Sequence, residues 1–345
     1  MTYGQTLKKG TSLCFTGSLS AESLADLKAN GIDAVEFSFS RDRYYNEFDF
    51  INRAQEYADR VREAGLEWWS LHLPFSGKLD ITNMNDEMRA EIVQVNTEMI
   101  LAAGKAGCKV AVLHPSSEPI SEDIRKQRLA YSRENIIRLR EVCDQVGMKL
   151  AVENLPRTCL CNRSEEMIAL LRDTGAGVVF DTNHSLVEEN VAFLKALTDA
   201  GLEILSLHIS DYDFVDERHR LPGDGINDWK GIMAVLEQVG YRGPLMYEVP
   251  KQPKDREPIT TAQLAENMTK LAAEPVDGFG LAVTTSAAYN LLKMAPADRT
   301  AFLEETFSRE KGAGMSLIRV AIGASDFCLK DNYTWCDKPG LEHFA

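Results

Sequence analysis

The sequence lacks long hydrophobic runs and basic clusters, and each absence argues against a class of protein. No apolar stretch approaches a membrane span, and the first residues, MTYGQTLKKGTSLCF, contain no stretch long enough for a signal peptide. The 38 Lys and Arg against 52 Asp and Glu give a formal net charge of -14, which disfavours binding to a phosphate backbone. We therefore expect a soluble cytoplasmic protein that binds neither nucleic acid nor membranes.

The cysteines lack the spacing of a disulfide framework. There are seven, an odd number, and no C-x-x-C pair occurs, which favours reduced buried thiols. Cys159 and Cys161 form a C-x-C pair that could contact a metal ion, but zinc pairs usually have wider spacing. Reduced thiols remain the preferred interpretation for this pair.

Short apolar runs alternate with amphipathic stretches eight times, which predicts repeated β-α units and a parallel sheet. A chain of 345 residues can form one such α/β domain, a (β/α)₈ TIM barrel, with residues to spare. The predicted strands are Ser12–Thr16, Asp33–Phe39, Glu67–Leu73, Lys109–His114, Lys149–Asn154, Gly177–Thr182, Ile204–Ser210 and Pro244–Val249. Glycines just before seven of them would end the preceding helices, because a helix C-terminus favours a left-handed residue. They are Gly31, Gly65, Gly107, Gly147, Gly175, Gly201 and Gly240.

The composition changes at Glu274-Pro275, after a helix predicted near Thr261–Ala273. The following residues are rich in glycine and aromatics and do not form a ninth β-α unit. We therefore assign residues 1–274 to the barrel and residues 275–345 to an appended, incomplete segment.

The predicted strands end in residues that are typical metal ligands. In barrels of this kind, function concentrates at the carboxyl ends of the strands. The candidates, in chain order, are His72, His114, Glu153, Asp181, His184, His208, Asp211 and Glu248.

Four of these candidates are expected to converge above the barrel axis. Glu153, Asp181, His208 and Glu248 lie at the ends of strands five to eight and form a carboxylate and imidazole set. Such a set suits Mn²⁺, Mg²⁺, Co²⁺ or Zn²⁺, and its oxygen content favours the harder ions. The sequence therefore predicts one shared divalent metal site.

The motifs VEN, FDTNH, LHISD and YEV resemble the sugar phosphate isomerase/epimerase family of xylose isomerase-like barrels over about residues 10–272. The segment HRLPGDGINDW, residues 219–229, is also similar to a loop of that family. The resemblance implies that Glu153, Asp181, His208 and Glu248 hold the metal. It also implies that Glu153 and Glu248 exchange protons with the substrate and that His184 contacts a substrate oxygen.

These residues suggest a mechanism. A metal chelated by a hydroxy-ketone or hydroxy-aldehyde would stabilise an enediolate while carboxylates remove and return a proton. The substrate would be a small sugar or sugar phosphate. The sequence is compatible with a homo-oligomer. Glu153 and Glu248 are the catalytic candidates, with purely structural ligation as the alternative.

Further substrate contacts are expected from histidine and arginine at the mouth. His72, His114 and His219 are candidates, with a second ion as the alternative for the first two. Epimerases of the family commonly carry an arginine shortly after the histidine of strand seven, whereas this chain has Asp211-Tyr212-Asp213-Phe214. Arg218, His219 or Arg220 could replace it. Arg41 or Arg43 could bind a phosphate or carboxylate.

Two other reactions fit overlapping residues. A metal-dependent sugar or inosose dehydratase would use the same four ligands. An endonuclease IV-like phosphodiesterase acting on abasic DNA would use the histidines as well, with Asp216 and His219 completing the set. The acidic charge disfavours the second alternative.

Residues 277–345 resemble the start of the catalytic region of family 30, glucosylceramidase-like glycoside hydrolases. The signature is GFG, TTSAAYNLL, GAGMSLIRVAIGASDF and YTW. Such enzymes carry their catalytic carboxylates on later strands, so we expect the segment to be non-catalytic. One helix is predicted within it, at Ser286–Met294 or Pro296–Phe307.

Overall fold

The structure, a computed structural model, describes residues 2–253, 256–273, 280–283, 285–308, 312 and 317–320. The contacts divide the chain into two compact units, Met1–Glu274 and Pro275–Ala345. Among the described residues, no helix is both long and apolar enough to cross a membrane.

The first unit contains eight parallel strands in one sheet, in the order β7-β6-β5-β4-β3-β2-β1-β8. The strands are β1 Lys9–Ser12, β2 Ala34–Ser38, β3 Glu67–His72, β4 Val110–Leu113, β5 Lys149–Glu153, β6 Gly177–Asp181, β7 Ile204–His208 and β8 Leu245–Tyr247. A parallel bridge between Ile209 and Tyr247 joins the two edges. The prediction of a TIM barrel is therefore confirmed.

A helix follows each strand. The eight helices are α1 Ala21–Ala29, α2 Phe50–Glu63, α3 Asp86–Lys105, α4 Glu122–Gln145, α5 Ser164–Leu171, α6 Asn190–Asp199, α7 Trp229–Gln238 and α8 Thr261–Ala272. All seven glycines expected before the strands have positive φ. At the end of α2, for example, Gly65 has φ +75°, and the next amide, of Leu66, donates to the carbonyl of Val61 at 3.0 Å.

The first strand lies further towards the N-terminus than the sequence indicated. Strand β1 is Lys9–Ser12, whereas the prediction was Ser12–Thr16. Leu13 and Phe15 are buried in the core, which explains the apolar run. They lie in a turn, where the amide of Phe15 donates to the carbonyl of Ser12 at 3.1 Å. Burial alone therefore does not distinguish a strand from the packed loop that follows it.

Two irregularities in strand register help to place side chains at the carboxyl end of the barrel. The β2–β3 pairing passes from Val35–Trp68 to Glu36–Ser70 and so omits Trp69. The β6–β7 pairing omits Leu205 in the same way, which leaves Asp181 opposite His208. Such bulges redirect side chains and are common next to active sites.

The barrel interior is apolar beneath these polar residues. Val110, Val112, Ala151, Val179 and Leu205 form a small buried cluster. A larger cluster lies elsewhere in the unit and includes the stacked pair Phe37 and Trp68, whose ring centroids are 4.2 Å apart. Because close-packed cores resist distortion, the strand ends provide a rigid base for a site.

The second unit is described only in part. Parallel strands β9 Gly280–Val283 and β10 Leu317–Val320 pair with each other, and helices α9 Thr285–Lys293 and α10 Pro296–Phe307 lie between them in sequence. Both candidate helices are therefore present, where only one was expected. Leu292 is 73% exposed and Phe302 39%. The SDF and YTW parts of the glycosidase-like signature lie outside the described residues.

We predict that deletion of residues 276–345 leaves the barrel folded and able to bind metal, because its core lies in the first unit. The unfolding temperature and the metal affinity of the shortened chain should match those of the full chain. As a control, truncation after residue 260 should destabilise the barrel, since it removes the fully buried Leu264 and Met268. Loss of the folded barrel on the first deletion would contradict this assignment.

Candidate metal centre and active site

The four predicted ligands converge at the carboxyl end of the barrel. Glu153, Asp181 and His208 are the last residues of β5, β6 and β7, and Glu248 follows β8. One ligand atom from each residue lies within 4.8 Å of those of the other three. The first three are fully buried, whereas the Glu248 side chain is 17% exposed. Parallel strands thus bring residues distant in sequence to one point.

His208 lies at the centre of this cluster. Its Nδ1 is 3.0 Å from Oε1 of Glu153, 3.2 Å from Oε2 of Glu248 and 3.8 Å from Oδ2 of Asp181. Its Nε2 lies 3.1 Å from Oε1 of Glu36. The imidazole is therefore surrounded by carboxylates on both sides.

Two oxygen atoms of the cluster are buried without a hydrogen bond among the described residues, Oε2 of Glu153 and Oδ2 of Asp181. The Glu153 oxygen lies 3.1 Å from Nε2 of His114, but without hydrogen-bond geometry. The other oxygen of Asp181 accepts from the amide of Asn183 at 2.6 Å. Since unpaired buried polar atoms are costly, and carboxylate with imidazole suits divalent ions, these residues fit a metal.

The carboxyl groups differ in their electrostatic surroundings. Burial raises the pKa of Asp181 well above its ordinary value, and the charges of Glu153 and Glu248 add to burial against the opposing charge of His184. Burial would also raise the pKa of Glu153, but His208 and other imidazoles hold this pKa well below its ordinary value. Burial lowers the pKa of His208, and the surrounding carboxylates more than reverse this effect. A bound cation would therefore favour ionised Asp181 most strongly.

His72 and His114 both approach Glu153 but differ in accessibility. Nε2 of His72 is 3.3 Å from Oε2 of Glu153, and this histidine is buried. His114 lines the pocket described next and stacks on Phe75, with ring centroids 3.8 Å apart. Phe75 is 51% exposed and was not predicted from the sequence, although it follows the motif SLHLP directly.

A pocket of about 330 Å³ opens above the cluster. This volume is near the lower end of the roughly 300–1,000 Å³ typical of small-molecule sites. Its ionisable lining residues are His114, Glu118, Glu153, Arg157, His184, Glu217, His219 and Glu248. Four carboxylates and four basic side chains thus face the pocket, and both Glu153 and Glu248 are among the carboxylates.

His184 and His219, two of the predicted substrate contacts, lie in the pocket wall. Nδ1 of His184 is 2.9 Å from the carbonyl oxygen of Asn154, which can only accept, so Nδ1 carries the proton. Its Nε2 lies 3.1 Å from Oε1 of Glu217. Nδ1 of His219 is 3.1 Å from the carbonyl oxygen of Glu248. Glu217 thus lines the pocket beside His184, whereas Asp216, the candidate ligand of the phosphodiesterase alternative, pairs with Arg157.

The arginines proposed from the sequence do not line this pocket. Nε of Arg218 donates to Asp213 at 2.6 Å, Arg41 pairs with Glu91 at 2.9 Å, and Arg43 pairs with Glu47 at 2.5 Å. The sequence alone could not exclude these arginines from the pocket, because the position of an arginine within a loop follows no periodic pattern.

Arg157, not singled out from the sequence, is the arginine of the pocket wall. Its guanidinium lies 2.7 Å from Glu118, 2.9 Å from Asp216 and 3.1 Å from Glu217. It joins the loops after β4, β5 and β7 at the rim. Three carboxylates already surround this cation, so the wall does not form a simple anion site.

Asp211 organises the loop that carries His219. Its carboxylate accepts hydrogen bonds from the amide of Gly223 at 2.9 Å and from Nε1 of Trp229 at 3.0 Å. An added Cβ at Gly225 would lie 2.3 Å from Oδ1 of Asp211, so glycine is required there. The HRLPGDGINDW motif therefore reflects the packing of a loop around one buried carboxylate.

Glu36 is the carboxylate that the sequence analysis missed. It lies in β2 and is fully buried beside His208. The available signal was a glutamate inside the apolar run AVEFS, where a charge is unusual. Cys159 and Cys161, by contrast, are buried free thiols outside the metal-binding groups found among the described residues.

Comparison with known proteins gives one family match and several distant relatives. A family model described as xylose isomerase-like TIM barrel matches residues 24–271. An uncharacterised protein of Methanocaldococcus jannaschii is 26% identical over 185 residues, 52% of this chain and 63% of that protein. An L-ribulose 3-epimerase of a Methylomonas species is 27% identical over 188 residues, 51% of this chain and 62% of the enzyme. The matches thus span less than two thirds of either relative.

The crystal structure of a D-tagatose 3-epimerase-like protein is similar in fold. It superposes with a TM-score of 0.65 at 23% identity and covers 79% of this chain and 98% of that chain. At this level of identity, the likeness establishes the architecture of the barrel.

We predict opposite effects of Asp181→Asn with and without metal. The raised pKa of Asp181 means that metal-free protein loses stability as the pH rises through that pKa, because folding disfavours the ionised form. At neutral pH the metal-free variant should therefore unfold at a higher temperature than the wild type. It should also lose most of the rise that Mn²⁺ produces in the wild type.

Asp199→Asn provides the matched control, because this exposed residue pairs with Lys195 on the surface of α6. In thermal melts, the unfolding temperatures of the control without metal and with Mn²⁺ should both stay near those of the wild type. An Asp181→Asn protein with the full metal-induced rise would contradict the ligand assignment.

Proposed function

We propose that this chain, which belongs to the xylose isomerase-like TIM barrel family, is a divalent-metal-dependent sugar isomerase or epimerase. One observation carries the proposal. Glu153 and Glu248 belong to the same candidate metal cluster, and both line the pocket through which a small molecule would reach it. The activity is assigned to residues 1–274, with residues 275–345 non-catalytic.

Glu153, Asp181, His208 and Glu248 would hold the ion. A bound divalent cation supplies Lewis-acid polarisation of a substrate carbonyl, which makes the adjacent C–H bond more acidic. Either glutamate can accept the released proton, and a carboxylate on the other side of the carbon can return one. Return to the same carbon gives epimerisation, and return to its neighbour gives isomerisation.

The two glutamates are not equivalent. Four histidine side chains lie within 3.4 Å of the Glu153 carboxylate, His72, His114, His184 and His208. Against the effect of burial, the charges of His208 and His114 in particular hold the pKa of Glu153 well below its ordinary value and weaken it as a base. Burial raises and the charge of His208 lowers the pKa of Glu248, with a net lowering, but Glu248 is the more exposed of the two glutamates. We assign the first proton transfer to Glu248 and the second to Glu153.

The pocket wall suits a polyhydroxylated molecule. His114, His184 and His219 provide ring nitrogens, and Ser116 and Ser117 provide further hydrogen-bonding groups. Phe75 offers an exposed aromatic surface beside His114, against which the C–H face of a sugar can pack. The reactions named for the Methylomonas enzyme and the D-tagatose 3-epimerase-like structure agree with this class of substrate.

The alternative reactions use overlapping residues and are distinguished by product. Dehydration requires the same polarised carbonyl but releases water from the neighbouring carbon. Cleavage of abasic DNA would require contacts to the phosphate backbone. The net charge of -14 and the three carboxylates around Arg157 argue against such contacts.

Incubation of metal-loaded protein with ketoses, aldoses and inososes in D₂O tests the proposal. We expect solvent deuterium in recovered sugar at the carbon next to the carbonyl, detected by NMR and mass spectrometry. Removal of the metal with a chelator should abolish the exchange, and its return should restore it. No exchange with any compound, together with nicking of abasic DNA, would replace the proposal by the phosphodiesterase.

Glu248→Gln should lower the rate of deuterium exchange by about 10²–10⁴-fold, the usual contribution of a general base. The amide is similar in size but cannot accept the substrate proton at neutral pH. Metal binding, measured separately, should be weakened but detectable at saturating Mn²⁺. Glu237→Gln, on α7 and away from the pocket, is the control with wild-type exchange expected. An unchanged exchange rate in the metal-saturated Glu248→Gln protein would rule out the first proton transfer by this residue.

A further inference from the structure

We propose that Glu36 is a positioning residue that holds the proton of His208 on Nε2 and leaves Nδ1 available to a metal. The inference rests on the metal-binding part of the proposed function. Both carboxylate oxygens of Glu36 lie close to Nε2 of His208, Oε1 at 3.1 Å and Oε2 at 3.2 Å. Nδ1 of the same ring faces Glu153 and Glu248.

The sequence around Glu36 fixes this carboxylate in place. The β2–β3 register changes between Val35 and Glu36, which puts Glu36 opposite Ser70. The Ser70 hydroxyl donates to Oε2 of Glu36 at 2.7 Å. Glu36 and Ser70 are both fully buried. Burying a carboxylate costs free energy, so Oε2 of Glu36 depends on its contacts with Ser70 and His208, whereas Oε1 has no hydrogen-bond partner among the described residues.

The need for a positioning residue follows from the surroundings of the ring. A neutral imidazole carries one proton, on Nδ1 or on Nε2. On the Nδ1 side, carboxylate oxygens of Glu153 and Glu248 lie 3.0 Å and 3.2 Å away and would attract the proton to Nδ1. A proton there occupies the lone pair that a metal requires. Glu36 is the acceptor on the opposite side, so it favours the tautomer that can bind metal.

The first test measures metal affinity by competition with a coloured chelator, using Zn²⁺ or Co²⁺ and the full chain. Glu36→Met removes the acceptor while keeping a similar volume, and it should weaken binding by about 10–100-fold, as loss of a hydrogen-bond partner of a ligand usually does. Glu36→Gln restores an oxygen acceptor and should recover part of the affinity. Wild-type affinity in Glu36→Met, or equal losses in both variants, would overturn the proposal.

Glu67→Gln is the matched control. Glu67 is the first residue of β3 and so lies at the amino end of the strand, away from the candidate metal ligands at the carboxyl ends. Its side chain pairs with Lys8 at 2.6 Å. Its affinity for metal should equal that of the wild type. Circular dichroism of each variant establishes that the barrel is folded.

The second test needs no variant. In zinc-loaded wild-type protein labelled with ¹⁵N, His208 should show a proton on Nε2 that exchanges slowly with solvent and resonates downfield, because it is buried and bonded to a carboxylate. Absence of that proton in a protein that binds zinc would overturn the role of Glu36. A wild-type chain that binds no divalent metal would instead overturn the proposed function, so the two failures are distinguishable.

Discussion

The burial of several carboxylates around one imidazole is the interaction on which the candidate site depends. Glu36, Glu153, Asp181 and Glu248 all approach His208, and the first three are fully buried. Like charges in such a space repel one another and lose hydration, which is why the pKa of Asp181 is raised while that of Glu153 is held low by histidine charges. An arrangement that is costly without a cation is well suited to binding one.

The barrel makes this arrangement possible. Close packing of the interior cluster and of the surrounding helices holds the strand ends rigidly, so the carboxylates cannot move apart to relieve their repulsion. The strand pairing skips two residues, Trp69 and Leu205, and these bulges help to set the direction of the side chains that follow. Stability from the core and the function proposed for the site are therefore linked, because the fold supplies the constraint that the site requires.

The rim of the pocket has a different organisation from its base. Salt bridges from Arg157 join three loops, and Asp211 holds the loop that carries His219. These loops surround a pocket whose wall combines carboxylates, histidines and the exposed aromatic ring of Phe75. Loops of this kind determine which small molecule fits, whereas the cluster beneath them determines which chemistry is available.

The sequence by itself determined the architecture and the four converging candidate ligands. Three local patterns carried this prediction: the alternation of apolar runs, the polar residues at strand ends, and the seven glycines before strands. In the structure all seven glycines have positive φ. Only the tertiary structure revealed that β1 ends before the apolar run, that Glu36 faces His208, and that Arg157 lines the pocket in place of Arg218. These features depend on side chains that meet across strands and loops far apart in sequence, and such contacts leave no periodic signal in the chain.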